Sequence, residues 1–441
     1  MSDASTIFAL SSAPGRAGVA VIRISGPAAQ DVLEKMVAPR PKPRSAVYRT
    51  IQHPQTGEAL DRAVVLWFAA PKTETGEDVV EFQVHGSRAV VSAILAALSA
   101  IPGCRLAEPG EFARRAFENG KLDLAEVEGL ADLIEAETDA QRRQALSQAS
   151  GALSKLYDGW RARLIEIAAL IEAAIDFSDE GDVSASSFAE ARKRAETLAK
   201  EIVAHLDDGH RGEILREGFR VALLGAPNAG KSSLLNALAR RDAAIVSAEA
   251  GTTRDVIEVR LDLAGLPVIV SDTAGIREAS SEVEQEGIRR SLAVARDADL
   301  VLWLAEKPES IPPLGLSRET SLVIRSKADL PRESRNDPEF GDLAVSAKTG
   351  AGLDRLIEAI AERAGQAIGS PADPAITRAR HRQALETALA DVQAFLTGSP
   401  AAIELRAEDV RRAAQTLGRI TGRVDVEDVL DQIFSRFCIG K

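Results

Sequence analysis

The residues Gly225 to Ser232, GAPNAGKS, constrain this chain most, because they match the phosphate-binding pattern G-x-x-x-x-G-K-[ST]. The apolar stretch FRVALL precedes them and SLLNAL follows, which is the strand–loop–helix context that the pattern requires. In such a loop the glycines let backbone N–H groups surround phosphates, Lys231 offsets phosphate charge and the Ser232 hydroxyl binds Mg²⁺. The segment therefore predicts an α/β domain with a parallel sheet that binds a nucleoside triphosphate.

Further motifs stand after this loop in the order expected of a GTPase. GTTRD provides Thr253 as a ligand to Mg²⁺ and to the γ-phosphate, and DTAG follows the strand PVIVS. SKAD follows SLVI and SAK follows LAV, in the positions that bind the base. The predicted contacts with the nucleotide are Asn228, Ala229, Gly230, Lys231, Ser232, Ser233, Thr253, Asp272, Thr273, Ala274, Gly275, Ser326, Lys327, Asp329, Ser346, Ala347 and Lys348.

The base-binding motif departs from the usual Asn-Lys-x-Asp, because Ser326 stands where Asn is expected. Asp329 accepts hydrogen bonds from the N1 and N2 protons of guanine, and adenine has no donor there, so the sequence still predicts GTP as the nucleotide. The shorter serine loses a hydrogen bond worth about 1 kcal/mol. We therefore expect GTP specificity with reduced affinity.

The residue after DTAG departs from the Ras-type arrangement, in which a glutamine orients the attacking water. Here it is Ile276, whose side chain can neither donate nor accept a hydrogen bond. Another group must position water and offset the charge of the transition state. The candidates are Asn228 in the phosphate loop and a carboxylate in REASSEVEQEGIRR, where Glu284 ranks no higher than Glu282 or Glu286 from the residues alone.

The pattern of apolar residues predicts several domains, as does a length of 441 residues. VAVIRIS and VVEFQVH alternate apolar and polar residues and AVVSAILAALSA is helix-like, which predicts an α+β domain over residues 1–118. Helical spacing elsewhere predicts a helical domain, into which the α/β domain is inserted. Residues 119–214 form its first part, residues 215–366 the α/β domain and residues 375–441 its second part.

Composition and charge restrict the possible partners. The net charge of −12 argues against nucleic-acid binding through the whole surface, although arginines cluster locally at Arg378, Arg380, Arg382, Arg411 and Arg412. Two cysteines, and five histidines without ligand spacing, predict no disulfide framework and no zinc or iron site. With no long apolar run and no basic leader, we expect a cytoplasmic protein that does not enter a membrane.

Motifs from the whole chain resemble the bacterial tRNA modification GTPase family MnmE, also called TrmE. They are GRAGVAVIRISG, KLDLAEVEGLADLI, GAPNAGKSSLLNAL, AGTTRD, DTAGIREASSEVEQEGI and the terminal FCIGK. The resemblance implies GTP hydrolysis with K⁺, whose charge takes the place of an arginine finger when two G domains meet. It places Asn228, Ser247, Glu249 and Thr252 at the K⁺, adds Ser247 and Thr252 to the GTP site, and makes Glu284 the residue that orients water.

The first domain resembles the family's folate-binding and dimer-forming domain. The resemblance implies that Arg23, Glu81, Lys121 and Lys441 contact 5-formyltetrahydrofolate. A carboxylate such as Glu81 can accept from the pteridine, and a cation such as Arg23 can bind the folate carboxylates. The implied activity, shared with the FAD-dependent MnmG protein, installs an aminomethyl or carboxymethylaminomethyl group at C5 of the wobble uridine of certain tRNAs, with a folate-derived one-carbon unit.

The terminal FCIGK is compatible with more than one function. Cys438 gives it the outline of a lipidation box, but Gly440 is not aliphatic and Lys441 is not a usual final residue, which disfavours a membrane-bound GTPase switch. A GTPase switch that binds the ribosome, and a folate-dependent one-carbon transferase that GTP only regulates, stay open. The resemblance implies that Cys438 acts in tRNA modification, as nucleophile, redox partner or structural support. It also predicts that the tail folds back onto the first domain.

Overall fold

The structure is a computed structural model, and backbone contacts divide the chain into two compact units. The first unit comprises Met1–Ala131 and Gly418–Lys441, and the second comprises Asp132–Leu417. This division is coarser than the four predicted segments, whose boundaries stay a prediction. The structure describes residues 5–176, 181–241, 243–245, 257–272, 297–308, 320–330, 340–369, 374–400, 402–424, 427–435, 437 and 439–440.

The described helices and strands follow one another along the chain in a fixed order. They are β1 (Thr6–Leu10), β2 (Ala17–Ser25), α1 (Ala29–Met36), β3 (Val47–Gln52), β4 (Ala59–Phe68), β5 (Val79–Gly86), α2 (Arg88–Ser99), β6 (Cys104–Leu106), α3 (Glu111–Glu118), α4 (Leu124–Glu135), α5 (Asp139–Ala149), α6 (Ala152–Asp176), α7 (Gly181–Leu206), α8 (Arg211–Glu217), β7 (Phe219–Gly225), α9 (Lys231–Ala239), β8 (Ile257–Leu263), β9 (Leu266–Asp272), β10 (Leu300–Ala305), β11 (Ser321–Arg325), β12 (Leu343–Ala344), α10 (Leu353–Ile368), α11 (Ala379–Thr397), α12 (Ile403–Thr421) and α13 (Glu427–Phe434).

A six-stranded sheet in the order β3-β4-β5-β2-β1-β6 forms the centre of the first unit. The strands β1 and β6 run parallel, and the other neighbours run antiparallel. Alternation along β5 buries Phe82 and Val84 on one face, where α1 and α2 pack, and turns Glu81 to the other face. The predicted α+β architecture of this part is confirmed.

The described residues of the tail fold back onto the first unit, as predicted. Phe437 is buried with Phe434 against α3 and α4, and Ile439 forms an antiparallel bridge with Pro109. Gly440 has a φ of 103°, and a Cβ on it would lie 2.2 Å from the Leu10 carbonyl oxygen. Only glycine fits this close approach without a shift of the backbone. Cys438 and Lys441 lie outside the described residues.

Long helices and a second sheet form the second unit. The residues Leu164, Ile167 and Ile171 recur at helical spacing in α6 and are fully buried. The helix α7 packs along both α6 and α11. Because α7 precedes and α11 follows the second sheet in sequence, the α/β part is inserted into the helical part, as predicted. Among the described helices, none is both long and apolar enough to cross a membrane.

The second sheet has the order β12-β11-β10-β7-β9-β8, with β8 antiparallel to β9 and the remaining neighbours parallel. Val221, Leu223, Val270, Leu302 and Ile324 belong to its core, which the helices α9 and α10 complete. Such near-continuous apolar strands are typical of a parallel sheet covered on both faces. The predicted α/β architecture is confirmed.

Candidate functional sites

The carboxyl end of β7 lies at the point where the strand order of the second sheet reverses. The chain runs from β7 to β8 and β9 on one side, and then to β10, β11 and β12 on the other. Open parallel sheets bind ligands in the crevice at such a reversal, outside the carboxyl ends of the strands. The phosphate motif follows β7 directly, and the predicted base-binding residues follow β11 and β12.

The phosphate loop joins β7 to the first turn of α9. Gly225 has a φ of 147°, and a Cβ on it would lie 2.3 Å from the Leu304 carbonyl oxygen of β10. Asn228 and Gly230 also adopt positive φ angles, of 63° and 95°. These angles turn the loop around the amino terminus of α9, whose free N–H groups and dipole attract anions. Ala229 anchors the loop in the core of the sheet, whereas Ser233 is exposed.

Lys231 lies buried in this loop. Its Nζ donates to the carbonyl oxygens of Gly225 and Ala226 at 2.9 and 3.0 Å. Burial lowers the pKa of Lys231, and the negative charge of Asp272 partly opposes that shift. A buried ammonium held by neutral carbonyls is a favourable partner for phosphate oxygens.

Ser232 and Asp272 lie together at the ends of α9 and β9. The Ser232 hydroxyl donates to Asp272 Oδ2 at 2.6 Å, and Asp272 is buried. A hydroxyl oxygen beside a carboxylate oxygen fits a hard cation such as Mg²⁺. Within the described part of the chain, no group of three or more histidine, cysteine or acidic side chains could hold a metal by itself.

Asp329 and Ser346 meet where the loops after β11 and β12 approach each other. The Ser346 hydroxyl donates to Asp329 Oδ1 at 2.6 Å, and Ser346 is fully buried. This hydrogen bond lowers the pKa of Asp329, and the charge of the exposed Lys348 acts in the same direction. The carboxylate is thus held ionised as an acceptor, and Ala347, which follows Ser346 in sequence, is half-buried.

Ser326 and Lys327 form the other part of the predicted base-binding loop. The Ser326 backbone N–H donates to the Ala305 carbonyl at 2.9 Å, whereas its buried hydroxyl oxygen has no partner among the described residues. Lys327 has a φ of 51° and forms an ion pair with Glu306, which directly follows β10. Glu306 is a residue that the sequence reasoning missed, because no motif marks it.

Several predicted residues lie outside the described part of the chain, so their placement stays a prediction. They are Ser247, Glu249, Thr252, Thr253, Thr273, Ala274, Gly275, Ile276, Glu282, Glu284, Glu286, Cys438 and Lys441.

Arg23 and Glu81 lie side by side in the first unit, because β2 and β5 pair in that register. Arg23 Nε donates to Glu81 Oε1 at 3.1 Å, and its Nη1 is 2.7 Å from Glu74 Oε2. The guanidinium carbon lies 5.9 Å from the centroid of the buried Phe112 ring. The site thus combines a carboxylate, a cation and an apolar ring, and Glu74 and Phe112 are members that the sequence reasoning missed.

The loop that carries Glu74 is held by a buried polar network. The Thr75 hydroxyl lies 2.7 Å from that of Ser25, and Asn119 Nδ2 donates to the Thr75 carbonyl at 2.7 Å. Lys121 passes beside this loop, since a Cβ on Gly76 would lie 3.1 Å from its Cε. The structure therefore brings Lys121 to the loop beside Arg23 and Glu81. No sequence signal marks the network, because its members stand far apart along the chain.

The network continues through charged side chains. Arg115, which is buried, donates to Glu77 Oε1 at 3.1 Å and to Glu111 Oε1 at 3.0 Å. Burial disfavours the charged form of Glu111, but hydrogen bonds from Arg105, the Glu108 backbone and Arg115 outweigh burial and lower its pKa. Glu111 is therefore ionised at neutral pH.

Comparison with known proteins identifies relatives over the whole chain. Residues 6–121 match the family described as GTP-binding protein TrmE N-terminus, and residues 124–438 match the MnmE helical domain. The tRNA modification GTPase MnmE of Parvibaculum lavamentivorans is 54% identical, over 99% of this chain and 100% of the relative. That of Methylobacterium radiotolerans is 52% identical, over 100% of both.

One solved structure is similar to a part of this chain. The G domain of the T. maritima FeoB iron transporter is 29% identical, covers 33% of this chain and 98% of its own, and gives a TM-score of 0.25. Two family matches and relatives of more than 50% identity along the full length lead to one conclusion: the chain belongs to the MnmE family of tRNA modification GTPases.

Proposed function

We propose that this GTPase uses GTP hydrolysis to drive modification of the wobble uridine of certain tRNAs at C5, in the cytoplasm. The observation that carries the proposal is the arrangement at the carboxyl edge of the second sheet. There the phosphate loop with Lys231 and the base-recognition carboxylate Asp329 lie at the ends of strands of one sheet. Membership of the MnmE family supports the assignment of tRNA as the substrate.

The nucleotide is held by three groups of residues. The amino terminus of α9 and Lys231 bind the phosphates, and Asp329, supported by Ser346, accepts from guanine N1 and N2. Ser232, with Thr253, holds Mg²⁺, which offsets charge on the β- and γ-phosphates when bound. The further contacts are Asn228, Ala229, Gly230, Ser233, Ser247, Thr252, Asp272, Thr273, Ala274, Gly275, Ser326, Lys327, Ala347 and Lys348.

Hydrolysis needs a substitute for the glutamine that Ile276 replaces. We assign the orientation of water to the carboxylate of Glu284. Asn228, Ser247, Glu249 and Thr252 hold K⁺, whose fixed charge stabilises the negative charge that develops on the phosphates. Asn228 is the described member of that set, and its left-handed backbone leaves its side chain exposed at the loop. Pairing of two G domains completes the site.

The first unit binds a 5-formyltetrahydrofolate, which supplies the one-carbon unit. Glu81 accepts from the pteridine, while Arg23, Lys121 and Lys441 provide cations for the folate carboxylates. The carboxylate–guanidinium pair supports this assignment, because the pteridine donors need an acceptor and the folate carboxylates need a cation. The same unit forms the homodimer.

The reaction takes place together with the FAD-dependent MnmG protein and adds an aminomethyl or carboxymethylaminomethyl group to tRNA. Cys438 acts in this step rather than in GTP hydrolysis. The positions of Phe437 and Ile439 in the first unit support its placement there, because they flank Cys438 in sequence.

Potassium dependence provides the test of the GTPase mechanism. GTP turnover is measured in K⁺ and in Na⁺ at equal ionic strength, for the wild-type protein and Glu284→Ala. The wild-type protein is expected to turn over GTP in K⁺ and to lose at least about a hundredfold in Na⁺, and Glu284→Ala to bind GTP but hydrolyse it at least about a hundredfold more slowly. Glu282→Ala serves as the matched control. Equal turnover in both salts contradicts the mechanism.

A further inference from the structure

One stretch of the first unit is strongly basic although the chain is acidic. Residues 35–49 contain five lysines and arginines and no acidic residue, in a chain with a net charge of −12. At its centre, residues 39–44 read PRPKPR, in which proline alternates with a cation. Neither the nucleotide site nor the folate site uses this stretch.

The stretch PRPKPR forms the loop between α1 and β3. Pro41 is buried, whereas Arg40, Lys42 and Arg44 are exposed. The Arg44 backbone N–H donates to the Trp67 carbonyl at 2.7 Å, which fixes the end of the loop to β4. Each proline fixes its own φ, so the loop presents its cations with little loss of backbone entropy when a ligand binds.

The outer face of β3 and β4 continues this surface. Tyr48 pairs with Val64 in the register of the two strands and is 56% exposed. The Arg62 guanidinium lies 5.4 Å from the Tyr48 ring centroid, and that of Arg44 lies 5.7 Å from the Phe68 ring centroid. A hydrogen bond from Arg44 to the Lys72 carbonyl places Lys72 beside it. We call Lys42, Arg44, Tyr48, Arg62 and Lys72 the basic ribbon.

The arginines that stand out in the sequence near the carboxyl terminus have a different environment. Arg378, Arg382 and Arg411 form ion pairs at 2.7 to 2.8 Å with Asp132, Asp208 and Glu172. In contrast, no carboxylate of the described residues forms an ion pair with any of the four cations of the basic ribbon. These cations are therefore available to an anionic partner.

We propose that the basic ribbon binds RNA that contains unpaired bases, with its cations on the phosphates and Tyr48 stacked on a base. An exposed ring with an arginine against it on a sheet surface is an arrangement that can stack unpaired bases, since every base offers a flat face. Arginine also matches phosphate geometry well. This inference rests on the proposed function, in which tRNA is the substrate, and it assigns the surface that holds that substrate.

Binding of a fluorescently labelled, unmodified tRNA transcript to the full-length protein tests the inference. Anisotropy titrations at several KCl concentrations compare the wild-type protein with the triple variant K42A/R44A/K72A. Loss of three phosphate contacts from single-stranded RNA is expected to reduce the slope of log affinity against log salt by about 2 and to weaken binding by about tenfold or more. The matched control is K155A/K200A/R355A, which removes three exposed cations of α6, α7 and α10 and is expected to bind as the wild type does.

Substitutions of Tyr48 distinguish the contribution of base stacking to tRNA binding from the contribution of the cations. Tyr48→Ala is expected to weaken tRNA binding by about tenfold with an unchanged salt slope, and Tyr48→Phe to bind as the wild type does. Thermal unfolding and GTP turnover of every variant report on folding. If the triple variant binds tRNA with wild-type affinity and slope, the inference is wrong.

Two further outcomes would also overturn the inference, and each would identify a different partner for the basic ribbon. A change in sedimentation mass at unchanged tRNA affinity would make the basic ribbon a contact between two copies of this chain. Weaker binding of the flavoprotein partner at unchanged tRNA affinity would make it a protein-docking surface. If the wild-type chain binds no tRNA, this inference fails, and wobble-uridine modification in cells then decides separately whether the proposed function stands.

Discussion

The phosphate loop and the amino-terminal site differ in how the chain builds them. The phosphate loop consists of consecutive residues between β7 and α9, so a local pattern specifies its conformation. The amino-terminal site takes Arg23 from β2, Glu81 from β5 and Lys121 from the segment after α3. The register of the sheet brings Arg23 to Glu81, and the packing of the loop around Gly76 brings Lys121 near, so no local pattern marks the site.

The two sites also differ in how charge is balanced. The Lys231 ammonium is held by two carbonyl oxygens, whereas Arg23 contacts the carboxylates of both Glu81 and Glu74. The phosphate loop should therefore depend on one cation, while the amino-terminal site should respond more weakly to a single change.

The largest expected effect is that of Lys231→Ala. Removal of the buried ammonium should lower GTP turnover by about a hundredfold to a thousandfold, because Lys231 is the cation that the phosphate loop holds for the charge on the phosphates. Folate binding, measured by calorimetry, should not change. Lys200→Ala is the matched control. Loss of folate binding in Lys231→Ala would show that the two sites are not independent.

Asp329→Asn should change the base preference. The amide keeps an oxygen for the Ser346 hydroxyl, but its NH₂ group opposes the guanine donors and can donate to the C2 carbonyl of xanthine. We expect GTP affinity to fall by about a hundredfold and xanthosine triphosphate to become the preferred nucleotide. Competition titrations with both nucleotides measure this, and an unchanged order of preference would exclude Asp329 from base recognition.

Glu81→Gln should have a smaller effect at the amino-terminal site. The variant keeps the side-chain shape and loses the charge, and Arg23 still contacts Glu74. Folate affinity should fall by about tenfold with GTP turnover unchanged. Glu58→Gln, an exposed change in the same unit, is the control. A hundredfold loss, comparable to that at the phosphate loop, would contradict the contrast in charge balance.

Ser326→Asn should strengthen nucleotide binding. The buried Ser326 hydroxyl has no partner among the described residues, and the longer amide restores the hydrogen bond of the usual motif. A gain of about 1 kcal/mol corresponds to about fivefold tighter GTP binding. Weaker binding would show that the loop after β11, from Ser326 to Asp329, does not accommodate the longer side chain.

Glu111→Gln should affect stability and leave both ligands bound. The folded state lowers the pKa of Glu111, so its contribution to stability is present above the ordinary value of about 4.3 and is lost as pH falls through the lower folded-state pKa. The variant should melt about 3 °C below the wild type at pH 7, and the difference should shrink below about pH 4. Calorimetric scans at pH 7 and below about pH 4 measure this difference in melting temperature. A difference that does not depend on pH would contradict the assigned role of the Glu111 charge.

The sequence was sufficient to predict the fold classes and the location of the phosphate loop. Period-2 alternation in β5, helical spacing in α6 and a strand–loop–helix motif each reflect contacts close together in sequence. The order of the motifs also located Asp329 and Ser346, because each follows a strand of the second sheet.

Pairing between distant residues could not be predicted from the sequence. Arg382 contacts Asp208 across 174 residues, and Arg115 contacts Glu77 across 38. A sequence shows that such charges exist but not which of them are neutralised. The cluster of arginines near the carboxyl terminus is therefore largely paired, whereas Lys42 and Arg44 of PRPKPR, which no motif marks, form no ion pair with the described carboxylates.

Mass spectrometry of wobble uridines tests most directly whether GTP hydrolysis by this protein serves tRNA modification. Transfer RNA is analysed from cells that lack the gene and from the same cells complemented with wild type, Lys231→Ala or Cys438→Ser. We predict that the C5 group disappears without the gene and returns with the wild type but not with Lys231→Ala or Cys438→Ser. Normal wobble uridines in cells that lack the gene would contradict the proposed function.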